Sequence, residues 1–262
     1  MATGSKEVGF EIADGVAVVT INRPHKRNAL TLANWRQLGD IYRRLADGSE
    51  ARVVILTGAG GHFCAGADIS EFDEVRSDVQ SGAIYEEATD EVIVAIRDWP
   101  GPTIAAISGY AMGGGCGLAL ACDFRVGDDT AKMGIPAARL GIIYGTIDCA
   151  LLYRQVGLAN AKRVLFSGRA FSFDECLEMR LIDIPAGGDA LTDARTFAAQ
   201  LAQNAPLTLK GSKFVLEAID GGRKGSVSHE IEERIAQGLA SDDYREGRRA
   251  FLEKRTPVFT GR

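Results

Sequence analysis

Two short stretches hold the residues best suited to chemistry in this chain. The first, GYAMGGGCGLALACD at 109–123, has three adjacent glycines opening an apolar run and a fourth, Gly117, interrupting it. The second is TGAGGHFCAGAD at 57–68. Glycine inside a helix is unfavourable by about 1 kcal/mol relative to alanine, so such a cluster suggests a task for the backbone itself. Each stretch follows a strand pattern and leads towards a helix. At that kind of junction the first N–H groups lack helical acceptors, and the positive end of the helix dipole lies behind them. An anion is the natural guest. Neither stretch carries the lysine of a phosphate-binding P-loop, and a ribose-binding acid has no suitable place. Two such junctions facing each other would hold one oxygen between them, as an oxyanion hole does. Close packing of helix on sheet explains the same glycines without chemistry.

The elements that must position these loops are legible in outline. VGFEIADGVAVVTIN, from residue 8, alternates around Asp14-Gly15 and predicts a β-hairpin. Thr31 is placed to cap a helix with Leu32, Trp35, Leu38, Tyr42 and Leu45 on one face. RVVILTG reads as a buried strand, and a second amphipathic helix spans roughly 84–98 before Trp99-Pro100-Gly101-Pro102. TIAAISG is the next strand and runs straight into the glycines. From about 146 helices dominate, near 147–156, 159–166, 173–180, 190–204, 207–219, 227–238 and 242–254. The pattern predicts an α/β core over 1–200 and a helical region over 201–262.

Composition narrows the function classes. The chain has 262 residues, 46% hydrophobic and 25% charged, which allows a sizeable core. A net charge of −5 with no basic block disfavours a nucleic-acid partner. Cys64, Cys116, Cys122, Cys149 and Cys176 show no C-x-x-C spacing and suggest buried free thiols in a reducing compartment, the cytoplasm. The N-terminus lacks a signal-peptide core, and no stretch reaches the roughly 20 apolar residues of a membrane helix. His25, His62 and His229 are scattered, so no metal site is expected. His62 reads as a surface residue at the lip of the first loop, and Cys64 and Cys116 as small packing groups.

INRPHKRNALT, FCAGADISEF, PTIAAISGYAMGGGCGLALACDFRV, LFSGRAFSFDECLEMRLID and SDDYREGRRAFLEKRTPVF occur in that order. Together they resemble the crotonase superfamily of enoyl-CoA hydratases and isomerases, over nearly the whole chain. The resemblance implies a spiral of ββα repeats with C-terminal helices used in a homotrimer or dimer of trimers. It implies an acyl-CoA substrate, with coenzyme A as part of that substrate and no separate cofactor. The N–H groups of Ala67 and Gly114 would form the oxyanion hole, with Ala65 and Asp68 beside them among the residues binding CoA. Lys26 and Arg27 would lie near the CoA phosphates, and Phe251 and Lys254 near its adenine and phosphate end, a contact that in the family can cross between subunits. A solvated basic loop and a plain surface helix are the simpler readings of the two segments.

The chain departs from this family where hydratases keep their two glutamates. Those positions are Gly117 and Ala137, and a third carboxylate position is Gly145. General acid–base assistance contributes about 10²–10⁴ per group, so standard hydration is not expected. Restoring glutamate at both 117 and 137 is expected to raise it. Nearby stand Tyr144, where some acyl-CoA decarboxylases of the superfamily keep a tyrosine, and Asp148. Decarboxylation, which generates an enolate without a protein base, is the specific chemistry expected. Tyr144 as a packed loop residue and Asp148 as a helix-dipole charge are the plainer readings. Thioester hydrolysis, weak hydration, and a non-catalytic CoA-binding or RNA-binding protein are the alternatives.

Overall fold

The hairpin forms as the alternation predicts. In the computed structural model, which describes residues 7–48 and 50–262, β1 (Val8–Ala13) pairs antiparallel with β2 (Val16–Ile21). Asp14 and Gly15 turn the chain with φ of 51° and 75°, the double positive φ of a primed hairpin turn. The segment MATGSK, read above for a leader, lies outside the described residues. There follow α1 (Leu32–Ala46), β3 (Val53–Gly58), α2 (Phe72–Val75), α3 (Val79–Arg97), β4 (Thr103–Ile107) and β5 (Tyr110–Met112). Next come α4 (Gly114–Ala121), β6 (Phe124–Gly127), β7 (Lys132–Gly134), α5 (Ala137–Leu140), α6 (Thr146–Ser167), α7 (Phe173–Glu178) and β8 (Ile184–Pro185). The chain ends in α8 (Ala190–Ala202), α9 (Pro206–Asp220), α10 (Ser228–Ala240) and α11 (Asp242–Glu253).

The main sheet has the order β1-β2-β3-β4-β6-β8, parallel from β2 onward. A second layer is thinner. It consists of the Leu30·Ala67 and Cys64·Ala111 bridges, the parallel pair β5·β7, and the Met133·Phe171 bridge. The chain therefore repeats one path: a main-sheet strand, a short second-layer pairing, then a helix. β2–Leu30–α1, β4–β5–α4 and β6–β7–α5 follow it directly, and β3 follows it through Cys64 and Ala67. Thr31 caps α1 reciprocally with Asn34, and Trp35, Leu38, Tyr42 and Leu45 are buried on the predicted face. On the opposite face of the sheet α8 presents Ala194, Ala198 and Ala202 to Val18, Ile55, Ile104 and Val126. Alanines at every fourth position let that helix lie close to the strands.

Two expectations need correction. The second helix starts at Val79, not near 84, because Asp78 and Ser81 form a capping box; its first buried residue is Tyr85, so its opening turns leave no apolar stripe. The helices expected at 147–156 and 159–166 form as expected, the two halves of α6 meeting at a kink where Gly157 leaves helical geometry (φ 73°, ψ 167°). The strand at 103–109 does not run straight into the glycines, since β5 intervenes. Among the described residues no helix is long and apolar enough to cross a membrane.

Candidate active site

The two glycine-rich junctions face each other. At the first, Leu30 N–H donates to Gly66 O (2.8 Å) and Asp68 N–H to Leu30 O (2.8 Å), which leaves the Ala67 N–H between them without a protein acceptor among the described residues. At the second, Gly113 donates to Gly134 O (2.8 Å), and its own carbonyl accepts from Cys116 (2.9 Å) and Gly117 (3.1 Å). Gly114, the first residue of α4, likewise has no described acceptor for its N–H. A Cβ on Gly66 would stand 3.1 Å from Gly114 N, so the loops nearly touch. That proximity lets two free donors meet one oxygen.

Each glycine of the triplet has its own reason. Gly113 holds φ 56°, a conformation that favours glycine. A Cβ on Gly114 would lie 2.9 Å from Trp35 Cζ2, and one on Gly115 only 2.1 Å from the Cys64 carbonyl oxygen. Close packing and donor exposure are thus one arrangement. It follows that substitutions at 114 disturb the site even when they keep the N–H.

Ala65, Ala67, Gly113, Gly114, Tyr144 and Asp148 line one cavity of about 100 Å³. Ala137 lines it too and brings no polar atom, while Gly145 caps the N-terminus of α6. Position 117 gives the unexpected result. A Cβ there would meet Asp148 Oδ1 at 2.7 Å. The room a side chain at 117 would take is therefore held by a carboxylate delivered from the first turn of α6. Burial, and then the charges of Asp90 and Glu86, push the Asp148 carboxyl up to about 7. The helix dipole, which would favour the charged form, is outweighed. The Tyr144 hydroxyl lies 3.4 Å from where a Cβ on Gly113 would stand. Burial, reinforced by Asp148, holds its phenol well above the usual range, so it stays a donor.

The sequence reading missed the far wall. Arg76 and Glu86 line the same cavity and pair at 2.5 Å. The Arg76 guanidinium lies over the rings of Phe72 (5.0 Å) and Tyr85 (5.2 Å), and Trp35 Nε1 donates to the Tyr85 hydroxyl (3.0 Å). Glu86 and Asp90, one helical turn apart, were the available signal.

The residues expected around CoA are dispersed. Asp68 is buried and ion-paired with Arg23 (3.1 Å) and Lys26 (3.7 Å). Burial opposes its ionisation, but hydrogen bonds from Ser70 and Arg23 and the charge of Lys26 hold its carboxyl below the usual range. It clasps the first donor loop. Lys26 reaches out at the loop's edge, and the Arg27 carbonyl accepts from Ala65 N–H (3.0 Å) while its guanidinium covers the Tyr110 ring at 5.2 Å. Phe251 and Lys254 belong to α11 and its C-terminal cap; neither lines the cavity, and Phe251 is 84% exposed in an apolar groove between α9, α10 and α11. His62 stacks on Tyr110 at 5.2 Å, and burial followed by the charge of Arg27 holds its imidazole below the usual range. Burial pushes the Cys64 thiol up to about 12. Among the described residues no cluster of metal-ligating side chains occurs.

The family model described as enoyl-CoA hydratase/isomerase matches residues 11–262. A Bacillus subtilis protein named "Probable enoyl-CoA hydratase" is 36% identical over 97% of this chain and 98% of its own. The short-chain-enoyl-CoA hydratase of Clostridium acetobutylicum is 34% identical over 92% of each chain. A solved enoyl-CoA hydratase/carnithine racemase from Magnetospirillum magneticum superposes with a TM-score of 0.93 at 32% identity, over 98% of this chain and 96% of that one. The chain has the crotonase fold and belongs to the enoyl-CoA hydratase/isomerase family, as an enzyme acting on acyl-CoA.

Proposed function

We propose that the enzyme moves a proton at the carbon beside an acyl-CoA thioester, with Asp148 as the proton carrier. The supporting observation is the Asp148 carboxylate beside Gly117, lining one cavity with the free N–H groups of Ala67 and Gly114. With a β,γ-enoyl thioester, ionised Asp148 takes a proton from the α-carbon. The electron pair moves to the thioester oxygen, which the two N–H donors stabilise. The same carboxyl returns the proton to the γ-carbon as the double bond shifts to α,β. One carboxyl is enough for this isomerisation, whereas hydration asks for help at both water and carbon. Loss of one oxyanion donor would lower the rate about 10²–10³-fold.

Decarboxylation is the second reading, favoured by the protonated Tyr144 hydroxyl beside Gly113. Carbon dioxide would leave first, and protonated Asp148 would quench the enolate. A panel of acyl-CoA thioesters incubated in D2O and read by mass spectrometry separates the readings. Deuterium uptake with an otherwise unchanged mass is the expected result. Loss of CO2, abolished selectively by Tyr144→Phe, would establish decarboxylation instead; gain of water or release of free CoA would overturn both.

The same reading needs no cofactor beyond the CoA of the substrate, and the five free cysteines fit the cytoplasm. We assign the groove between α9, α10 and α11, with Leu239, Phe251 and Leu252 exposed, to contacts in a homotrimer or dimer of trimers. Phe251 and Lys254 would then meet the CoA of a neighbouring subunit. Light scattering at micromolar concentration should give a trimer or hexamer; a monomer would remove this assignment.

A further inference from the structure

The cavity contains one guanidinium, and most of its hydrogen-bonding capacity is unused. Arg76 caps the C-terminus of α2, and its side chain is only 20% exposed. An arginine has five N–H donors. Among the described residues one of those of Arg76 goes to Glu86, and the others find no protein acceptor. The Arg76 guanidinium carbon sits 5.0 Å and 5.2 Å from the centroids of the Phe72 and Tyr85 rings and the group pairs with Glu86, so its position is set before any ligand arrives. Around it the wall is Trp35, Ile93, Ala137 and Ile142, apolar side chains that suit a hydrocarbon chain but offer Arg76 nothing.

A plain hydrocarbon acyl group would displace water from those donors and leave them unpaired, which is unfavourable. A carboxylate would accept two of them in the fork geometry that guanidinium presents. The Tyr144 hydroxyl, on the same cavity and protonated, is a further donor. Four carboxyl groups act on this region, Glu71, Glu86, Asp90 and Asp148. Glu86 is already paired with Arg76, and burial raises both Asp90 and Asp148, so an entering anion meets groups that take up a proton readily. The cavity, about 100 Å³, suits a chain of a few carbons.

We propose that Arg76 is a specificity-determining residue that selects acyl-CoA thioesters whose short acyl chain ends in a carboxylate. This inference rests on the reading of the cavity as the acyl site, and it deepens that reading. The matched probes are glutaryl-CoA and pentanoyl-CoA, which have equal chain length and differ in the terminal carboxylate. Titration calorimetry at neutral pH should show wild-type protein binding glutaryl-CoA about tenfold more tightly, the worth of a charge-assisted pair. In Arg76→Met, which keeps the apolar stem, the ratio should fall to about one. Equal or tighter binding of pentanoyl-CoA by the wild type would overturn the proposal, as would an unchanged ratio in the variant. Should Arg76→Met fail to fold, Arg76→Lys keeps the charge without the fork and should lower the ratio severalfold; an unchanged ratio there is equally fatal. Binding of these saturated thioesters needs no proton transfer. A glutaryl preference without deuterium exchange would sink the catalytic reading alone, and exchange without a preference would sink this one alone.

Discussion

Replacing Asp148 with asparagine is expected to slow deuterium exchange at the thioester α-carbon by about 10²–10⁴-fold, the usual contribution of a positioned acid–base group. In the wild type the exchange rate should rise with pH through about 7, where the buried carboxyl ionises and becomes a base. The same burial has an opposite effect on stability. Burial pushes the folded carboxyl from the ordinary 3.8 up to about 7, so between those values the folded state holds the extra proton. Stability therefore falls as pH rises through that window, and the loss is complete above it. Across that window the loss is roughly 4 kcal/mol, which asparagine would restore. Thermal melts should show Asp148→Asn gaining on the wild type from pH 5 to pH 8 while its activity is lost. A variant that exchanges deuterium at the wild-type rate would remove Asp148 from the chemistry.

Glutamate at position 117 should damage the site, contrary to what its sequence alone suggests. Its Cβ would stand 2.7 Å from Asp148 Oδ1, inside a buried cavity already holding that carboxyl. The Asp148 carboxyl would have to swing aside, and a second carboxylate in the same cavity is unfavourable because the two cannot both ionise. Gly117→Glu should lower the melting temperature, more so at alkaline pH. Gly117→Glu with Ala137→Glu should hydrate crotonyl-CoA no better than the parent. Adding Asp148→Ala vacates the space and should recover the lost stability. If the double glutamate variant hydrates well while Asp148 is still present, the placement of that carboxylate is wrong.

The contrast shows what the sequence could and could not reveal. The hairpin, α1 and its Thr31 cap were legible because period and cap are local properties. The two donor loops were legible because backbone chemistry leaves glycine behind. The short pairings of the second layer were not, since strands of three residues or single bridges have no period to detect. Asp148 and Gly117 are 31 positions apart in the chain, so no local signal says that one fills the space of the other. Arg76 escaped for the same reason: its meaning comes from rings and a carboxylate on α3, assembled only by folding.

Gly117 also acts as a spacer of zero thickness between two helices. The Gly114 N–H belongs to α4 and the Asp148 carboxyl, the proposed proton carrier, to α6, and the helices meet where Gly117 presents no side chain to Asp148. A carboxylate rooted at 117 would share the rigid frame of Gly114, one turn away on the same helix. Rooted at 148, it can be re-aimed by any change that tilts the first half of α6, and Gly157 separates that half from the rest of the helix. If Asp148 carries the proton as proposed, its aim is set by α6 and the grip on the oxygen by α4, so substitutions in α6 would retune the site for a differently shaped acyl chain while the backbone donors keep their place.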